Sequence, residues 1–253
     1  MQIVTRKTKQ LLGQAAGKHG ASLIREAIHD RGRANIVLGT GASQFEVIER
    51  LITSEGIHWP AVTVFHLDEY VGMQITHPAS FRLFLWQRFV RLLPLPVRAC
   101  HYLSGEGDPE KECARVGEII KRHPIDVAFV GIGENGHMAF NDPPADFATT
   151  VPYLVVDLDE RCRQQQVGEG WFKQLSDVPK QAITMSIQQI LASRAIIASV
   201  PDLRKAQAVK ETVENRPDPR YPATCLQKHA DAYVYLDLES ASLMSDLERT
   251  ATL

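Results

Sequence analysis

The chain has 253 residues, 44% of them hydrophobic, enough to bury one large core as a single domain over 1–253. A formal net charge of -2 with scattered basic residues excludes a nucleic-acid footprint, although a small anionic ligand needs only a local basic site. Cys100, Cys113, Cys162 and Cys225 form no CxxC pair and no uncharged apolar stretch approaches 18 residues. A zinc site, a disulfide framework, export and a membrane span are therefore not expected, and a cytoplasmic location is.

In chain order, the helical spacing of Leu11, Leu12, Ala15, Ala16, Leu23, Ile24, Ala27 and Ile28 predicts a long first helix over 8–31. Short apolar runs predict buried strands at 35–38, 62–65, 126–130, 195–200 and 232–236. Helices are expected near 43–54, 78–91, 109–122 and 202–214, with Pro78 in a first turn, where its missing N–H costs nothing. This alternation implies an α/β fold, a mostly parallel sheet with helices on both faces.

Ligands of open parallel sheets bind outside the carboxyl ends of the strands. Three motifs fall there: GTGAS at 39–43, LDEY at 67–70 and GIGENGHMAFNDPP at 131–144. GTGAS leaves a strand and opens a helix, so its backbone N–H groups and the hydroxyls of Thr40 and Ser43 suit a phosphate; an ordinary turn with Ser43 as N-cap is the bland alternative. Asp68 and Glu69 are adjacent carboxylates of which only one can face a given ligand. A carboxylate in a partly dry pocket suits removal of a proton beside a carbonyl, whereas a helix-initiating acid or a salt bridge would be structural. In the third motif Gly131, Gly133 and Gly136 permit close backbone approach, and His137 exchanges protons near neutral pH. Asp142 can fix the imidazole if the chain folds back. Lys205 follows the strand at 195–200 and either reaches a phosphate or lies along a solvated helix face. His66, His77 and His137 are at no recognised ligand spacing, so no metal is expected.

LDEYVGM with HPASF behind it, GIGENGHMAFNDPP, the pair Lys205–Ala206 and CLQKH at 225–229 resemble glucosamine-6-phosphate deaminases, in the same order and at similar spacing from residue 8 to residue 240. LDEYVG and GHxAFN separate the pattern from that of the related 6-phosphogluconolactonases. The resemblance implies a modified Rossmann-like α/β domain acting on a 2-amino-2-deoxyhexose 6-phosphate without an organic cofactor or catalytic metal. It implies Asp68 as the base at carbon 2 with Glu69 beside it, His137 as the ring-opening acid/base, and Asp142 as its support. Thr40, Gly41, Ser43, Glu69, Gly136 and Lys205 would contact substrate or phosphate. Two departures accompany it. Asn135, taken as one of the catalytic groups, stands where some members have an aspartate, and an amide orients a hydroxyl without taking up its proton. No arginine precedes Trp171–Phe172; Gly170 is near that place, and Arg163 is the candidate replacement.

A lactone hydrolase using His137 to activate water, and a non-catalytic sugar-phosphate sensor, are the alternative functions; LDEY argues against the first. A homo-oligomer is compatible with the sequence, and nothing in it sets the state.

Overall fold

The computed structural model describes residues 1–245; the remainder of the expected domain range, 246–253, lies outside the described residues. The strands are β1 (Gln2–Arg6), β2 (Ala34–Leu38), β3 (Val62–His66), β4 (Asp68–Tyr70), β5 (Ala99–His101), β6 (Val127–Val130), β7 (Tyr153–Asp157), β8 (Gln181–Met185), β9 (Ala195–Val200) and β10 (Ala232–Asp237). The helices are α1 (Lys9–Arg31), α2 (Phe45–Ile52), α3 (Phe81–Arg88), α4 (Pro109–Ile120), α5 (Glu160–Gly168), α6 (Ile187–Leu191) and α7 (Ala206–Glu214). None is long and apolar enough to cross a membrane.

Seven strands pair in parallel in the order β1-β10-β9-β6-β2-β3-β5. The five expected strands form the contiguous centre of this sheet apart from its edges. Their residues are buried almost without interruption because helices cover both faces. Successive residues of β2 serve opposite layers: Ile36 and Leu38 belong to one buried cluster with Leu12 and Ile24 of α1, while Val37 belongs to the other with Val116 of α4 and Val209 of α7.

Five strands escape the periodicity reading for two reasons. β1 and β5 are sheet edges, and β4, β8 and β7 form a separate antiparallel sheet in that order. Their partly polar sequences gain strand character from pairing rather than from an apolar run. The short helices α5 and α6 are likewise additions to the expected set. Pro78 is not in a helical first turn. Ser80 caps α3 by accepting from the Leu83 N–H at 3.4 Å, and Pro78 lies in the preceding turn.

From β2 the chain crosses one way to β3 and β5, then returns to β6 on the other side of β2. The loops after β2 and β6 therefore diverge and open a crevice at the carboxyl edge, the expected ligand position in a doubly wound sheet.

Close packing of α1 depends on glycine. A Cβ on Gly20 would stand 2.2 Å from Cε1 of Phe129, a fully buried ring of β6. Gly20→Ala gains about 1 kcal/mol of helix propensity, but overpacking of a filled core costs about 1–3 kcal/mol. With the ring unable to retreat, the cost should win, and Gly20→Ala should lower the urea midpoint without changing the slope of the transition; a raised midpoint would contradict this packing.

Candidate active site

The loops after β2, β6 and β9, together with the β3–β4 corner, surround a solvent-open cleft. Thr40, Ser43, Asp68, His137, Arg204 and Lys205 all line it.

At one end the β2 loop crosses Gly41 in the left-handed region, φ 90°, and tightens into a short 3-10 turn over Ala42–Gln44. Ser43 is not the N-cap considered above: neither this turn nor α2 has a side-chain cap. Its hydroxyl instead lies over Gly131, where a Cβ would meet it at 2.8 Å. Gln44 fixes the turn from beneath by donating to the Val130 carbonyl at 2.9 Å. Thr40, Gly41 and Ser43 therefore present backbone and hydroxyl groups to the cleft.

At the β3–β4 corner, strand alternation separates the paired carboxylates. Glu69 is wholly buried away from the cleft and accepts from the N–H groups of Tyr70, Phe81 and Arg82 and from the Ser80 hydroxyl, at 2.9–3.2 Å. Arg82 Nε adds an ion pair at 3.5 Å. The expected ligand contact by Glu69 is thus corrected: this carboxylate anchors the start of α3 and faces no ligand. Asp68 points the other way, into the cleft, 6% exposed and with no partner on Oδ1. Burial, reinforced by the charge of Glu69, pushes its carboxyl up to about 8.

His137 is held by its own loop. A Cβ on Gly133 would fall 2.2–2.4 Å from three ring atoms, so a glycine there lets the imidazole lie against the backbone. Asn135 Oδ1 accepts from the His137 N–H at 3.1 Å, and its amide donates to Asp142 Oδ1 at 3.0 Å and Asp159 Oδ2 at 3.2 Å. Asp142 Oδ1 lies 3.2 Å from His137 Nδ1, with the ring N–H off the hydrogen-bond axis. Burial opposes ionisation of Asp142, but the contacts with His137, Asn135 and the Asp159 N–H outweigh it and hold the carboxyl below its ordinary range. The sequence placed Asn135 among the catalytic groups. Structurally it lies behind His137, outside the cleft lining, as does Asp142. Gly136 also lines no part of the cleft; its φ of 83° turns the chain so that its N–H reaches the Gly133 carbonyl at 3.0 Å.

His137, Asp142 and Cys162 offer donor atoms within 4.8 Å of one another. Burial and the nearby Asp142 and Asp159 carboxylates push the Cys162 thiol far above its ordinary range. Asp142 already serves Asn135 and the Asp159 N–H. The donor set fits a hydrogen-bonded support better than a metal centre.

The cationic end differs from expectation. Lys205 is 5% exposed in the 3-10 turn before α7, so it occupies neither a solvated helix face nor the helix proper. Burial lowers its ammonium pKa, with the nearby carboxylates opposing. Arg163 does not substitute for the missing arginine: its guanidinium donates to the Leu175 and Val178 carbonyls at 2.7 and 3.1 Å and tethers that segment outside the cleft. Arg204, beside Lys205, does line the cleft, and the adjacency of two cations at a strand-to-helix junction was its available signal. Gln165, Gln166 and Glu169 also line it. The sequence pointed to this segment only through the missing arginine near Gly170 and did not mark these three residues themselves.

A family model described as "Glucosamine-6-phosphate isomerases/6-phosphogluconolactonase" matches residues 7–235. A glucosamine-6-phosphate deaminase of Listeria monocytogenes is 33% identical over 245 residues, covering 96% of this chain and all of that one. One from Exiguobacterium sibiricum is 34% identical over 88% of this chain and 86% of its own. Among solved structures, a monomeric glucosamine-6-phosphate deaminase superposes with a TM-score of 0.89 at 31% identity, over 96% of this chain and all of that one. A 6-phosphogluconolactonase from Shewanella baltica gives 0.75 at 19% identity, over 94% of this chain and 97% of that one, and shares the fold alone. With its cleft at the switch point of the same sheet, the chain belongs to the glucosamine-6-phosphate isomerase/6-phosphogluconolactonase family.

Proposed function

We propose that this protein isomerises and deaminates glucosamine 6-phosphate to fructose 6-phosphate and ammonia, without a metal or organic cofactor. The observation that carries the reading is the unpartnered Asp68 carboxyl facing the same cleft as the His137 ring, with a loop of backbone and hydroxyl donors and two cations at its far end. The full-length relatives that bear the deaminase name support it over lactone hydrolysis, whose representatives here are related by fold alone.

In this reading the phosphate rests on the Thr40–Ser43 loop with Arg204 and Lys205 beside it. His137 moves a proton from the carbon 1 hydroxyl to the ring oxygen and opens the sugar to its aldehyde. Asp68 removes the carbon 2 proton, leaving an enolamine across carbons 1 and 2. Returning the proton to carbon 1 gives an imine at carbon 2. Water adds there and ammonia leaves, producing the ketose. Each step transfers a proton on a positioned substrate, which a carboxylate and an imidazole perform. The substrate ammonium beside Asp68 would favour the ionised carboxylate once bound. Asp142 and Asn135 act through His137 by fixing its ring and loop.

Purified protein should release ammonia and a ketose phosphate from glucosamine 6-phosphate at the same rate with and without a chelator. Absence of ammonia, alongside hydrolysis of a gluconolactone phosphate, would reject the deaminase reading. Asp68→Asn keeps the side chain's shape but not its basicity; turnover should fall by about 10² or more while a substrate analogue still binds. Near-normal turnover in that variant would make Asp68 a structural acid. The pH profile provides a separate check. Asp68 carries a proton below its pKa and cannot act as a base, so kcat/KM, which reports the free enzyme, should climb with pH, be half-maximal near pH 8 and level off only above it. An acid limb at the ordinary carboxylate position, about 4, would contradict the burial argument.

A further inference from the structure

Both cations at the anion end of the cleft are already paired. Arg204 Nη1 lies 3.4 Å from Glu134 Oε1, and Lys205 Nζ lies 3.8 Å from Glu169 Oε1. The two carboxylates differ in freedom. Glu134 is more than one-third exposed and can turn to water when an anion arrives. The Glu169 side chain is 8% exposed and accepts two further bonds, from Gln165 Nε2 at 2.8 Å and from Trp171 Nε1 at 3.1 Å. The indole is itself packed edge-on against Phe45 and Phe84. Glu169 cannot leave without breaking both bonds. It also lies beside the phosphate loop: a Cβ on Gly41 would stand 4.0 Å from Glu169 Oε2.

A phosphate on that loop would meet a fixed negative charge a few ångströms away, with Lys205 divided between two anions. Like charges at such a distance in a partly dry site repel strongly. We propose that Glu169 sets the affinity of the phosphate end: its carboxylate competes with the ligand's phosphate for Lys205 and holds the affinity for phosphate esters down. This rests on the phosphate placement in the proposed function. Because substrate and product carry the same phosphate, Glu169 weakens both complexes alike, a uniform effect that belongs in KM rather than in kcat.

The test is calorimetric titration of the full-length protein with inorganic phosphate, which needs no turnover. Glu169→Gln keeps the shape and an oxygen acceptor but removes the charge, and its Kd for phosphate should fall about tenfold. Glu169→Ala, which keeps neither, should also bind more tightly, and it decides the matter if the glutamine variant does not fold. Glu169→Asp, which retains the charge, should stay within about threefold of the parent. For glucosamine 6-phosphate, Glu169→Gln should lower KM by a similar factor with kcat within about threefold. Phosphate binding that is unchanged or weaker in a folded, neutral variant overturns the proposal, and so does a gain confined to kcat. A parent protein that forms no ammonia would sink the deaminase reading and leave the phosphate titration to judge Glu169 on its own.

Discussion

Leaving the parallel sheet at Leu67, the chain turns into β4, where the pleat sends Asp68 and Glu69 to opposite sides; the cleft depends on how that corner is held. A buried carboxylate is costly unless its lone pairs are filled. Glu69 fills them with three backbone N–H groups and a hydroxyl, and Arg82 offsets its charge. One N–H comes from Tyr70 of β4 and the other donors from the start of α3, so one side chain ties the strand to the helix. The antiparallel pairing of β4 with β8 adds a second constraint on the same corner. Asp68 is left facing the cleft with a free oxygen, and Glu69's charge helps keep its proton on.

The same division between a group in the cleft and its support recurs at His137. The ring lines the cleft, whereas Asn135 and Asp142 stand behind it and connect it to Asp159, which caps α5 by accepting from the Cys162 N–H. An aspartate at 135 would place a third acid beside Asp142 and Asp159. The amide instead donates to both carboxylates while accepting from the His137 N–H, so it satisfies neighbours that a carboxylate would repel. The placement of the His137 backbone and the ionised state of Asp142 therefore arise from one hydrogen-bonded unit.

At the anion end, field and geometry are separate resources. Backbone and hydroxyl groups of the β2 loop are fixed by Gly41 and Gln44, whatever the state of the side chains. Arg204 and Lys205 add cations, but Glu134 and Glu169 offset them. Gln165 links the two carboxylate-bearing segments, accepting from the Glu134 N–H and donating to Glu169. A change on either segment therefore reaches the other through one amide.

The sequence by itself determined the α/β alternation, the central strands and the long first helix, because buried parallel strands and an amphipathic helix write their burial directly into apolar spacing. It also brought Asp68, His137, Ser43 and Lys205 forward as a set, since strand-end loops with glycine, acid and histidine are compositionally unusual. Tertiary structure alone decided which of two adjacent carboxylates faces the cleft, because strand alternation needs to know which side is covered. It decided that Asn135 supports rather than lines, that Arg163 tethers carbonyls far along its own segment, and that Glu169 stands beside Lys205. Each of those facts depends on contacts between residues remote in the chain, or on which way a loop closes, and no local pattern records them.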